Sequence, residues 1–124
     1  MRAIVQRVHQ ANVQAGGKVV GEIGKGLLVY LGVGIRDSIG DAERLAEKVT
    51  SLRIFEDAQG KLNRSVKDVL GDILCISNFT LMADARKGRR PSFDGSASGQ
   101  QAQPLYEAFL SALEKHGCPP KQGV

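Results

Sequence analysis

Gly71-Asp72-Ile73-Leu74-Cys75-Ile76-Ser77 decides the fold class. Four consecutive apolar residues, Ile73 to Ile76, leave neither face of a strand polar, which is the pattern of a sheet covered on two sides. Leu27 to Val33, with Gly32 and Gly34 at its end, reads as a second buried strand. Between them, Asp37 or Ser38 can cap a helix with Asp41 in its first turn. Its apolar positions Ala42, Leu45, Ala46, Val49 and Leu52 recur at helical spacing and give it one face to lay on the sheet. Buried strands with a helix between them imply a mixed α/β domain.

Working outward, Ala3 to Val13 is a long strand-like stretch ending near Gly16-Gly17, a pair able to take positive φ in a hairpin turn. Lys18 to Ile23 is the return strand and Gly24-Lys25-Gly26 a second turn, so a three-stranded meander is expected to open the chain. Arg53 to Glu56 reads as a short strand, Asp57-Ala58-Gln59-Gly60 as a turn, and Lys61 to Val66 as an irregular or hairpin return. Beyond Leu81 the chain is polar and Gly-rich through Pro91, and Ser92 to Gln101 is loop-like. Gln103 to Lys115 restores helical spacing with Leu105, Phe109, Leu110 and Leu113, and Gly117, Pro119 and Pro120 supply the stop. Lys121-Gln122-Gly123-Val124 reads as the approach to a further element.

The 124 residues suffice for one compact core, so residues 1–124 are read as a single domain. Seventeen basic against thirteen acidic residues give a net charge of +4. That balance suits a polyanionic partner and equally a solvated basic surface. No apolar run has the length of a membrane span, and Met1 to Val8 lacks the pattern of a secretion signal, so a cytoplasmic protein is expected. Cys75 and Cys118 form no CxxC pair and are expected to be reduced and structural.

Several chemistries lack their residues. Gly32-Val33-Gly34 has Asp37 where a dinucleotide-binding loop needs its third glycine, and Gly24-Lys25-Gly26 lacks the spacing of a phosphate loop. His9 and His116 are the only histidines, with no zinc-binding spacing and no GxSxG nucleophile elbow, so no metal and no cofactor are expected. Ser77-Asn78-Phe79-Thr80-Leu81 differs: it sets hydroxyls and an amide at the end of a buried strand. Backbone N–H groups there can converge on a carbonyl oxyanion, or the same residues can close local hydrogen bonds at a strand terminus.

Met1-Arg2-Ala3-Ile4-Val5-Gln6-Arg7-Val8, Gly26-Leu27-Leu28-Val29-Tyr30-Leu31-Gly32-Val33, Leu52-Arg53-Ile54-Phe55, Ser77-Asn78-Phe79-Thr80-Leu81 and Arg86-Lys87-Gly88-Arg89-Arg90-Pro91-Ser92-Phe93, in that order, resemble the D-aminoacyl-tRNA deacylases over essentially the whole chain. The resemblance implies hydrolysis of the ester between a D-amino acid and tRNA, and removal of glycine misattached to tRNA for alanine. It implies a three-layer α/β/β fold with two main helices and a homodimer with composite active sites. It makes Ser77 to Leu81 one wall of the aminoacyl pocket, with backbone N–H groups around Ser77 and Phe79 on the substrate and Thr80 as the side chain nearest the chemistry. No His or Lys adjoins Thr80 to activate it as a nucleophile, so positioning is favoured over covalent catalysis, with the substrate's ribose 2′-OH taking part. Asn78, Leu81, Met82 and Arg7 are the substrate-binding candidates, Arg7 by likeness to an arginine that steadies the pocket. Arg86, Lys87, Arg89 and Arg90 are the tRNA-contact candidates.

Two departures stand out. Asn78 replaces the Gln of the family's Ser-Gln-Phe-Thr-Leu signature. The chain also has no Gly-Pro dipeptide, whereas the family ends in strands with an Asn-x-Gly-Pro segment that enters the partner's pocket and excludes L-amino acids. The expectation is a C-terminally truncated domain lacking those strands, with an inactive RNA-binding module as the alternative function.

Overall fold

The computed structural model describes residues 1–123. In chain order the elements are β1 (Arg2–Val8), β2 (Ala11–Ala15), β3 (Lys18–Ile23), β4 (Gly26–Gly32), α1 (Ile39–Ser51), β5 (Phe55–Glu56), β6 (Leu62–Arg64), β7 (Asp72–Ser77), a 3₁₀ turn (Phe79–Met82), α2 (Gly99–Lys115) and β8 (Lys121–Gln122).

The two apolar strands lie side by side at the centre of a four-stranded sheet ordered β1-β4-β7-β8. β4 and β7 pair in parallel from Gly26↔Asp72 to Leu31↔Ser77, which requires a long crossover, supplied by α1 and the β5–β6 hairpin. On one face Leu27, Val29, Leu31, Ile73 and Cys75 pack against Ala42, Ala46, Val49, Phe109 and Leu113 of the two helices. Burying each of the larger side chains contributes roughly 1.5–3 kcal/mol relative to exposure. Tyr106 satisfies its buried hydroxyl by donating to Cys75 O at 3.2 Å. Burial pushes the Cys75 thiol up to about 12, and both cysteines are buried and free.

The β2–β3 hairpin turns at Gly16-Gly17, whose φ of +59° and +78° suit glycine. It lies over the sheet's other face: a Cβ on Gly21 would come within 3.1 Å of Leu74 Cδ1. Helices, central sheet and hairpin are thus the three layers expected.

Three details depart from the sequence reading. The opening meander does not form, because the chain breaks at His9-Gln10: β1 pairs antiparallel with β4, whereas β2 pairs only with β3 in another layer. Alternating side chains have the same period whichever strand is the neighbour, so the pattern cannot choose the partner. α2 begins at Gly99, earlier than expected, because Ser98 accepts from Gln101 N–H while the Gln101 side chain reaches back to Ser98 N–H. Pro104 is therefore inside the helix, where it removes one backbone donor. Lys121–Gln122 is itself strand β8, parallel to β7, and Val124 lies outside the described residues.

Candidate active site

The Ser77–Leu81 motif sits where β7 leaves the sheet. After the last ladder pair, Leu31↔Ser77, Asn78 N–H still donates to Leu31 O at 2.8 Å. Asn78 is extended, with φ −145° and ψ 99°, and caps the 3₁₀ turn that follows. Its side-chain oxygen accepts the Thr80 N–H at 3.0 Å and the Thr80 hydroxyl at 2.5 Å. Because the N–H requires an acceptor, the oxygen end of the amide faces Thr80, and the hydroxyl has to be the donor. Thr80 Oγ1 has committed its proton and presents lone pairs only. An amide oxygen is no base, and neither histidine is at the turn: His9 lines a cleft with Glu22 and Lys121, and His116 caps the end of α2. Leu81 N–H bonds Asn78 O at 3.3 Å and Ala83 N–H bonds Thr80 O at 3.1 Å.

That leaves Phe79. The first donors of a helical turn have no partner within it, and among the described residues no acceptor meets the Phe79 N–H. It is an unpartnered backbone donor on an exposed residue just past the end of β7, next to a hydroxyl that can only accept. The turn can approach β4 this closely because position 32 is glycine: a Cβ there would lie 2.9 Å from Leu81 Cβ and 3.2 Å from both Asn78 O and Met82 Cγ.

Beside the turn opens a cleft of about 670 Å³ lined by Arg2, Met82, Asp84, Arg86, Lys87, Ser92 and Asp94, among others. Arg2 Nη1 donates to Leu81 O at 3.0 Å. Asp84 and Ser92 exchange backbone hydrogen bonds of 2.7 and 2.6 Å, closing a loop that carries all four tRNA-contact candidates. They are not equivalent. Arg86 is held by Asp84 through its own N–H at 3.0 Å, its Nε at 3.0 Å and its Nη2 at 2.7 Å. The guanidinium holds the Asp84 carboxyl down at about 2, so the pair is intact above about pH 4 and lost only as the pH falls toward 2. Lys87, Arg89 and Arg90 are exposed and make no ion pair among the described residues.

The structure brings Ser77, Asn78, Phe79, Thr80, Leu81 and Met82 together, with the basic loop beside them. It does not bring Arg7. The antiparallel register puts Arg7 opposite Leu27, at the far end of the sheet from Ser77, where its Nη1 donates to Ile54 O at 2.8 Å. Arg2, opposite Gly32, is the arginine that reaches the turn within this chain. Asn78 is likewise occupied with Thr80, and its oxygen is spent on the turn itself. Sequence reasoning missed Arg2 and Gly32, for which only strand pairing supplies a signal, and Asp84, whose pairing with Arg86 two residues on is local. Among the described residues no group of three or more His, Cys, Asp or Glu side chains could hold a metal ion.

A second cleft of about 520 Å³, between α1 and α2, is lined by Glu43, Arg44, Glu47, Lys115 and His116 with small residues between. It lies on the helix layer, away from the motif.

Known proteins resemble the chain in sequence and fold. The D-Tyr-tRNA(Tyr) deacylase family model matches residues 4–124. The D-aminoacyl-tRNA deacylase of Thermodesulfovibrio yellowstonii is 49% identical over 124 residues, covering 100% of this chain and 85% of the relative. That of Thermosipho melanesiensis is 55% identical over 115 residues, covering 93% and 77%. Among solved structures, the c-Myc DNA Unwinding Element Binding Protein superposes with a TM-score of 0.94 at 39% identity, over 100% of this chain and 85% of that one. With the family model matching residues 4–124 and about half of its residues shared with these relatives, the chain belongs to the D-aminoacyl-tRNA deacylase family.

Proposed function

We propose that the protein hydrolyses the ester of D-aminoacyl-tRNA, and of glycine mischarged on tRNA for alanine, as a chirality proofreader of translation in the cytoplasm. The observation that carries this reading is the unpartnered Phe79 N–H beside a Thr80 hydroxyl locked as an acceptor. The N–H suits the oxyanion that develops on the ester carbonyl as water adds. Collapse then breaks the carbon–oxygen bond to the ribose, whose oxygen takes a proton to become a free hydroxyl, and the D-amino acid leaves as its carboxylate. With neither histidine at the turn and Asp84 tied to Arg86, the neighbouring ribose 2′-OH is taken as the group that relays that proton. Thr80 Oγ1 positions the substrate by accepting from its ammonium group, and Ser77, Leu81 and Met82 complete the wall.

A second copy of the chain is taken to close the site in a homodimer, as the family resemblance implies. The test is release of tyrosine from D-Tyr-tRNA and L-Tyr-tRNA, run at a concentration where light scattering reports the dimer. Release from the D ester alone is expected. No release from either would leave a non-catalytic RNA-binding module, and equal release from both would remove chiral selection.

The basic loop is proposed to hold phosphates of the acceptor end. Alanine at Lys87, Arg89 or Arg90 is expected to weaken tRNA binding and to reduce the slope of log K against log salt by about one each. Arg86→Ala changes the slope less, because Asp84 already occupies that guanidinium. A slope unchanged in the three single variants would take the loop out of the interface.

A further inference from the structure

Phe79 and Phe93 leave aromatic surface at the site that neither the core nor the ester chemistry uses. Their ring centroids are 5.3 Å apart with planes inclined at 55°, and they remain 61% and 39% exposed. Phe79 stands on the 3₁₀ turn. Phe93 follows Ser92 directly, at the closed base of the loop bearing Arg86, Lys87, Arg89 and Arg90.

Phe93 is also firmly held. Ser96 N–H donates to its carbonyl at 2.9 Å, Ile35 N–H to Gly95 O at 3.1 Å and Ala97 N–H to Val33 O at 3.0 Å, tying the segment to the end of β4. An exposed aromatic pair on a fixed backbone, at the base of a loop whose Lys87, Arg89 and Arg90 make no ion pair among the described residues, matches what an unpaired nucleotide presents: a flat base beside a phosphate. An amino-acid side chain offers a comparable apolar surface but no phosphate for the cations.

We propose that Phe93, backed by Phe79, is a stacking platform for the unpaired nucleotide that precedes the esterified terminal nucleotide of the tRNA. This rests on the deacylase reading, since it takes the terminal nucleotide to be seated at the Ser77–Leu81 turn. Phe93 then sets the preference for a full acceptor end over a bare aminoacyl-nucleoside.

The test compares D-Tyr-tRNA with D-tyrosyl adenosine, an ester that lacks the preceding nucleotide. Phe93→Leu should raise KM on the tRNA about tenfold at unchanged kcat, change KM on the short ester by less than about twofold, and be rescued by Phe93→Tyr. Equal losses on both esters would make Phe93 a support of the turn or a contact of the amino acid, and no loss on tRNA would leave it idle; either overturns the platform. A second measurement needs no hydrolysis: fluorescence anisotropy of an uncharged tetranucleotide ending in CCA, with and without its penultimate base. Wild type should prefer the intact oligonucleotide and Phe93→Leu should lose that preference. If the preference is seen while no ester is cleaved, the platform stands and the deacylase reading falls; if esters are cleaved without it, the platform falls alone.

Discussion

Phe79→Pro is expected to lower kcat on D-aminoacyl-tRNA about 10²- to 10³-fold below Phe79→Ala, the size seen when one oxyanion donor is deleted. Both substitutions remove the ring, so their difference isolates one N–H. Proline is tolerated at the first position of a helical turn, and the preceding residue, Asn78, already has the extended backbone that proline imposes. The two variants should therefore melt within a few degrees of one another while differing in single-turnover release of D-tyrosine. Equal rates would falsify the assignment of the Phe79 N–H as the oxyanion donor.

Gly32→Ala is expected to cost about 10² in kcat/KM, the scale associated with misplacing reacting groups by about 1 Å. The added methyl cannot be absorbed by a flexible side-chain tip, because its nearest neighbours are Leu81 Cβ at 2.9 Å and Asn78 O at 3.2 Å. The turn has to shift as a unit, carrying the Phe79 N–H and the Thr80 hydroxyl with it. The core strands contribute their buried side chains as before, so thermal unfolding should respond less than activity. A variant with wild-type kcat/KM would mean that the position of the turn against β4 is not what organises the site.

Much of the fold was legible because it depends on local pattern. Ile73 to Ile76 and Leu27 to Leu31 are the central strands, with Ile73, Leu74, Cys75, Leu27, Val29 and Leu31 buried and Leu28, Tyr30 and Ile76 half-buried. The helix over Ile39–Ser51 starts at one of its two candidate caps, with Ser38 and Asp41 satisfying one another's backbone donors. The first helix announced its cap more plainly than the second, where Ser98 and Gln101 were hidden in a polar stretch that reads as loop.

The sequence by itself determined that this is a mixed α/β chain, that Ser77–Leu81 ends a buried strand, and that the chain resembles the deacylases. Periodicity, capping and motif order are properties of neighbouring residues, and they survive without knowledge of the fold. Only the tertiary structure decided that β1 pairs with β4, that Arg2 and not Arg7 reaches the turn, that Asp84 occupies Arg86, and that Phe93 meets Phe79. All but the local Asp84–Arg86 pair depend on which strands or loops become neighbours. A side chain that alternates along a strand carries the same period beside any partner, so contacts across strands and loops are written only in three dimensions.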